Sequence, residues 1–209
     1  MYMFKIYPDD LSTIENYKLM SGSVIPRPIA FVTTLSTVNG VVNAAPFSYF
    51  NAVSSDPPLL SISIGRNQSQ MKDTARNAIE NKELVIHICD EQIIGDVDKT
   101  GAPLEADQSE LALTNLSTIQ SDRVSVPSIK EARIRYECKL HQHLPIKNDQ
   151  GEIVMDFLLV RIVCYHFSEE VFDPEKKYIF SEKLQPVSRL AGNNYASIGE
   201  SFTVEKRFK

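Results

Sequence analysis

Two long stretches in the second half of the chain, Ala132 to His143 and Ile153 to Phe167, constrain its fold more than any other feature. Both have the alternating or continuous apolar character of β-strands. Four shorter runs, Ile29 to Leu35, Val41 to Ala44, Leu59 to Ile64 and Leu84 to Cys89, read the same way. Helical periodicity is clearest between Ser69 and Lys82, where Met71, Ala75, Ala78 and Ile79 recur at steps of three and four and Ser69 is placed to cap the start. Shorter helices are expected over Gln92 to Lys99 and Asp107 to Thr114. A repeating βα pattern supplies about one helix per strand, and here the strands outnumber the helices. The sequence therefore predicts a mainly β fold, an antiparallel barrel with peripheral helices.

With 209 residues, 43% of them hydrophobic, the chain can bury one sizeable core. It shows no internal repeat and no low-complexity linker, so one domain over residues 1–209 is expected. A net charge of −5 and a pI near 5.4 argue against a nucleic-acid surface, which needs a basic stripe. The sequence contains no 18-residue apolar run, and its start, MYMFKIYPDDL, lacks the features of a signal peptide. No membrane association and a cytoplasmic location are the expectations. Cys89, Cys138 and Cys164 lie in strand-like runs and read as buried free thiols.

Three short segments carry the chemistry. In SGSVIPRPIAFVTTL, residues 21–35, Pro26 and Pro28 restrict the backbone around Arg27 at the mouth of a strand. In LLSISIGRNQSQMKDTARN, a strand runs through glycine and a polar loop into a helix, gathering Arg66, Ser69, Lys72 and Thr74 at the helix start. Free backbone N–H groups and the positive end of the helix dipole there suit a phosphate; a capped, solvated amphipathic helix is the other reading. In NAAPFSYFNAVSSDPPLL, small residues interleave with Phe47, Tyr49 and Phe50, which suits either a flat aromatic ligand or an edge strand and turn. His141 and His143 share a strand face but find no third ligand, so no metal site is expected. His87 reads as a satisfied core or interface histidine. Neither a GxGxxG fingerprint nor a P-loop occurs, and no catalytic triad or carboxylate dyad presents itself.

In order, PRPIAFVTT, NAAPFSYF, SSDPP and RNQSQMKDT resemble the flavin reductase-like proteins of the FMN-binding split-barrel group. The resemblance covers roughly residues 18–167, and Ser188 to Gly192 followed by Tyr195 extends it weakly into a C-terminal extension at about 168–209. It implies a six-stranded antiparallel split barrel, a homodimer with FMN near the subunit interface, and hydride exchange between flavin and NADH or NADPH or a redox partner protein. It implies that Arg27, Thr33 and Thr34 lie along the flavin, with Arg27 reaching the phosphate or the pyrimidine edge. Ala44, Ala45, Pro46, Phe47, Ser48 and Phe50 would border the ring and offer main-chain donors. Ser61, Ser63 and Gly65 would approach the phosphate, Arg66, Lys72 and Thr74 would hold it, and Arg189 and Tyr195 would close the site from the same or the opposing subunit. No side-chain nucleophile is needed, because the flavin carries the electron chemistry. The same pocket would also serve a non-catalytic flavin-binding or flavoredoxin-like electron carrier.

Overall fold

The structure, a computed structural model, describes residues 1–205. Its first helix, α1 (Thr13–Ser23), is started by a capping box: Ser12 Oγ accepts the Glu15 N–H at 3.3 Å, and the Glu15 carboxylate accepts the Ser12 N–H at 2.8 Å. Only Ser21 of α1 is buried, so no apolar stripe marks this helix in the sequence. Next come β1 (Arg27–Pro28), β2 (Ala30–Leu35), β3 (Val42–Phe47), β4 (Phe50–Ser55) and β5 (Pro58–Gly65). They are followed by α2 (Asp73–Asn81), β6 (Glu83–Ile88), α3 (Ile94–Lys99), β7 (Thr118–Ile119) and β8 (Ser128–Ile129). Two long strands, β9 (Ile134–Lys147) and β10 (Ile153–Phe167), precede β11 (Phe172–Asp173), β12 (Tyr178–Ile179), α4 (Ser181–Leu184), β13 (Val187–Arg189) and β14 (Tyr195–Ser197).

Seven strands form one antiparallel sheet in the order β3-β2-β6-β9-β10-β5-β4. Its two edge strands, β3 and β4, are consecutive in the chain and joined only by Ser48 and Tyr49. The ends of the sheet must therefore meet, and the barrel closes with a split at that turn. Tyr49 O accepts the Ser63 N–H at 2.8 Å, which ties the turn to β5. The sheet has one strand more than the six expected. The addition is β4, whose residues after Phe50 are all exposed and so show no core-facing alternation in sequence.

Inside the barrel, Ala30 and Val32 of β2 meet Leu60, Ile62 and Ile64 of β5, Leu84 and Ile86 of β6, and Leu158, Val160 and Ile162 of β10, with Ala75 and Ala78 of α2 packed against them. Burying each large aliphatic side chain here stabilises the fold by about 1.5–3 kcal/mol. A second core lies outside the barrel wall, where Phe31, Cys89, Ile93, Val97 and Val187 pack together. Strand β2 is thus buried on both faces, which explains its unbroken apolar run. A small sheet in the order β1-β13-β14 pairs Arg27 with Arg189 and fastens the C-terminal segment to the barrel mouth.

Several expected boundaries shift. Helix α2 begins at Asp73 rather than Ser69; Gln68 and Ser69 take left-handed φ values of 46° and 66° in a tight turn where Asn67 and Gln70 exchange backbone hydrogen bonds, so Ser69 caps nothing. The expected helix over Asp107–Thr114 is a single 3-10 turn, Glu110–Leu113. Cys89 and Cys138 are buried free thiols, and burial pushes both well above the ordinary thiol range; Cys164 is free but only half-buried. His87 is fully buried between Phe31 O (2.9 Å from Nδ1) and the Ile129 N–H (2.9 Å from Nε2). That is a satisfied core histidine, and its two partners fix the neutral tautomer with the proton on Nδ1. No described helix is long and apolar enough to cross a membrane.

Candidate functional site

Three open lobes meet at the split, and Pro46 and Phe47 at the end of β3 line all of them. The largest, 610 Å³, runs from Asn43 and Ala45 to Arg66, Lys72 and Thr74 at the start of α2 and to the Thr100–Leu104 loop. A second, 500 Å³, lies between α1 and the end of β5, where Tyr17, Tyr49, Ser63, Gly65 and Arg66 face one another. The third, 330 Å³, sits under the C-terminal sheet, with Arg189, Tyr195 and Asp98 opposite Ile29 and Ser48. Of the residues expected at the site, Ala45, Pro46, Phe47, Ser48, Ser63, Gly65, Arg66, Lys72, Thr74, Arg189 and Tyr195 line these lobes. Arg189 and Tyr195 do so from the same chain as the barrel.

Others take different roles. Arg27 is 6% exposed, and its guanidinium donates to Ser21 O (2.5 Å), Val24 O (2.6 Å), Leu190 O (2.9 Å) and Ser48 Oγ (3.4 Å). Four of its five N–H groups are therefore committed within the chain. Arg27 fastens the end of α1, the C-terminal segment and the split turn to one another. Thr33 and Thr34 are fully buried: Thr33 Oγ1 donates to Pro127 O (2.8 Å), and Thr34 lies in a network with Asn43 and Asn77. Neither lies along a lobe. Phe50 packs against the barrel core, and the Ser61 hydroxyl donates to Asn51 O at 3.4 Å, away from all three lobes.

The main-chain donors of β3 are fewer than expected. The Ala44 N–H points away from β2 and is taken by Glu110 Oε2 at 3.0 Å. By the alternation of an antiparallel edge, the next outward group belongs to Pro46, which has no N–H. Ser48 follows in the turn at the split and lines two of the lobes.

Electrostatics divide the large lobe. Among the described residues Lys72 makes no ion pair; it is exposed, and it precedes the first turn of α2, whose N–H groups and dipole favour an anion. The Thr74 hydroxyl donates to Asn43 Oδ1 at 2.7 Å, so Thr74 offers the lobe its backbone N–H rather than its side chain. Arg66 is paired: Nε and Nη2 reach Asp156 at 2.9 and 2.8 Å, and His143 Nε2 meets the same carboxylate at 2.9 Å. Burial alone would raise the Asp156 carboxyl, but its bonds from Arg66 and His143 outweigh this and hold it below the ordinary range. Glu110, across the lobe, also accepts Asn43 Nδ2 at 2.8 Å; burial, with Asp73 nearby, lifts its carboxyl above the ordinary range against these hydrogen bonds. In the small lobe Arg189 lies 4.5 Å over the Tyr195 ring, whose hydroxyl donates to Asp98. Burial first and Asp98 second push the Tyr195 hydroxyl up to about 12.

Sequence reasoning missed Asp156 and Glu110 at the site, and it singled out Tyr49 for its ring and not for its hydroxyl. The Tyr49 hydroxyl is buried with no hydrogen-bond partner among the described residues, although the Tyr49 side chain lines a lobe. The signal for Asp156 was its parity, since Leu158, Val160 and Ile162 on the same face all enter the core.

Residues 20–183 match the family model of the flavin reductase like domain. YwrF of Bacillus subtilis is 58% identical over 204 residues, 98% of each chain. The crystal structure of nitrilotriacetate monooxygenase component B from Bacillus cereus superposes with a TM-score of 0.94 at 44% identity, covering 98% of this chain and 100% of that one. The 2-nitrobenzoate 2-nitroreductase of Pseudomonas fluorescens gives a TM-score of 0.86 at 33% identity, covering 99% and 98%.

Proposed function

The chain belongs to the flavin reductase like family, and from that premise we propose that it is an FMN-dependent oxidoreductase drawing hydride from NADH or NADPH. The observation that carries this reading is the junction of lobes at the split: a free cation and a helix N-terminus at one end, and the Pro46–Phe47 wall in the middle. Lys72 and the first-turn N–H groups of α2 bind the phosphate, with Arg66 as a second, geometrically fixed donor. Phe47 and Pro46 give the ring system an apolar edge, and Ser48, in the turn beside them, offers polar groups to the atoms of that edge. A bound flavin supplies the hydride acceptor and donor chemistry; the chain binds, orients and shields it. Arg189 and Tyr195 form the wall toward the hydride donor or the acceptor. Component B of a monooxygenase and a nitroreductase among the similar structures support an acceptor that is free flavin or a small aromatic molecule.

A homodimer fits the same reading. Phe47, Tyr49 and Phe50 are half-buried, so they leave no open aromatic face. Exposed apolar side chains stand on the N-terminal segment, on α1 and at the tip of the long β9–β10 hairpin, where Tyr17, Leu144, Ile146 and Val154 are 57%, 40%, 45% and 41% exposed. A two-fold partner would cover them. Light scattering giving twice the chain mass at micromolar concentration is expected; a monomer with flavin bound would remove the dimer.

The test of the activity is the visible spectrum of the purified protein, followed by heat release and chromatography of the flavin, then anaerobic stopped-flow mixing with NADH and with NADPH. Release of FMN and bleaching of the flavin bands by one nucleotide are expected. A bound flavin that neither nucleotide reduces would make the protein a carrier instead.

A further inference from the structure

Along β10 the core-facing positions read Asp156, Leu158, Val160, Ile162, so a fully buried carboxylate stands where the pattern calls for an apolar side chain. A buried ion pair is at best weakly stabilising compared with an apolar residue of similar volume, so its placement needs another reason. What Asp156 touches supplies one. Arg66 continues the β5–β10 ladder through its N–H to Val154 O at 3.0 Å, which brings its guanidinium alongside the Asp156 carboxylate. The two meet side-on, Nε to Oδ2 and Nη2 to Oδ1. The register of β9 against β10 sets His143 opposite Leu158, diagonal to Asp156, and its Nε2 lies 2.9 Å from Oδ1. The third Arg66 bond, from Nη1 to Ser69 O at 3.3 Å, leaves one N–H on each terminal nitrogen. Arg66 itself lines both of the larger lobes.

We propose that Asp156 and His143 are positioning residues that lock the Arg66 guanidinium edge-on to the lobe, so that the site selects a phosphomonoester flavin over an unphosphorylated one. The inference rests on the phosphate reading given above. Because Asp156 already balances the charge of Arg66, net attraction for the anion comes from Lys72, and Arg66 contributes direction: two fixed N–H groups that match two oxygens of a tetrahedral phosphate. The carboxylate has two opposing effects. Its charge repels the anion, and its grip spares the arginine the entropy of being ordered on binding. The side-on pair, held from behind by His143 and nearly shut off from solvent, makes the grip the larger of the two.

The test is a fluorescence titration of the full chain, freed of flavin, with FMN and with riboflavin, for the wild type, Asp156→Asn, His143→Gln, Arg66→Lys and Lys72→Ala. The quantity read is the ratio of the two dissociation constants. Lys72→Ala is expected to lower the preference for FMN about tenfold, Asp156→Asn roughly three- to tenfold and His143→Gln about twofold, with riboflavin affinity held throughout. Arg66→Lys should fall with Asp156→Asn, since an ammonium keeps the charge but cannot make the side-on pair. A preference that is unchanged or increased in Asp156→Asn and His143→Gln, while Lys72→Ala loses it, overturns the positioning role and leaves the phosphate site standing. An unchanged preference in Lys72→Ala overturns the phosphate reading itself. Should Asp156→Asn fail to fold, His143→Gln and Arg66→Lys decide by the same criterion.

Discussion

Replacing Arg27 separates a residue that holds the site together from one that grips the ligand. Its guanidinium is nearly buried and bonded to three carbonyls and a hydroxyl drawn from α1, the loop after it, the C-terminal segment and the split turn. Arg27→Ala leaves the carbonyls of Ser21, Val24 and Leu190 facing a cavity that water can only partly fill. Hydrogen bonds to charged groups contribute about 1.5–3 kcal/mol each, but they are not additive and water recovers some of them, so a net loss of about 2–4 kcal/mol is expected. At about 2–4 °C per kcal/mol for a chain of this size, the melting temperature should fall by roughly 5–15 °C. Arg27→Lys keeps the charge but reaches fewer of the acceptors, and should fall about half as far. FMN and riboflavin affinities should decline together, because in the proposed pose the loosened Ser48 turn borders the ring and not the phosphate. Differential scanning fluorimetry beside titrations with both flavins makes the measurement. An unchanged melting temperature with a selective loss of FMN would refute the fastening role and return Arg27 to the phosphate.

Lys72→Ala should weaken FMN by about 1–2 kcal/mol at low salt, the value for an exposed charge near an anion, and the deficit should shrink at 0.5 M salt, roughly, as screening removes what the mutation removes; a deficit independent of salt would argue against a charge contact. His87 gives a pH prediction. Its pKa is lowered to about 3, by burial first, because a second ring proton would confront the Ile129 N–H. The unfolded chain therefore binds the proton first as pH falls, and this contribution to stability is complete above pH 6.5, roughly, and is lost progressively toward pH 3. Urea midpoints should drop by about 2 kcal/mol of stability between pH 7 and 5. An imidazole that titrates near its ordinary value in the folded protein, followed by NMR, would contradict it.

The barrel was legible because its inner residues alternate along β5 and β10 and run unbroken along β2, whose outer face also meets a core. The two long strands, the doubly buried β2 and the single amphipathic helix α2 all follow from local pattern. What escaped was structure made by partners remote in sequence. Helix α1 has a capping box but no buried stripe, and β4 is an edge strand with an exposed, polar sequence, so neither shows the periodicity that burial imposes. The φ values at Gln68 and Ser69 moved the start of α2 by one turn, since a turn closed by backbone bonds competes with a serine cap and here wins.

The site was legible by segment and not by side chain. PRP marked the backbone around Arg27 as restricted, yet the proline pair says nothing about which acceptors wait for the fork, and those lie in Ser21, Val24 and Leu190 and not on a flavin. Thr33 and Thr34 show the converse: polar residues in a strand buried on both faces must bond within the fold, and their burial removes them from any ligand. The same rule points the other way for Asp156. A hydroxyl can satisfy itself on one carbonyl, whereas a carboxylate placed in a core row must bring cations to it, and the cation it brings stands at the mouth of the barrel. A charged residue at core parity near a strand end is thus a sign of a site being held in shape, and IVMDFLLV carries that sign in the sequence.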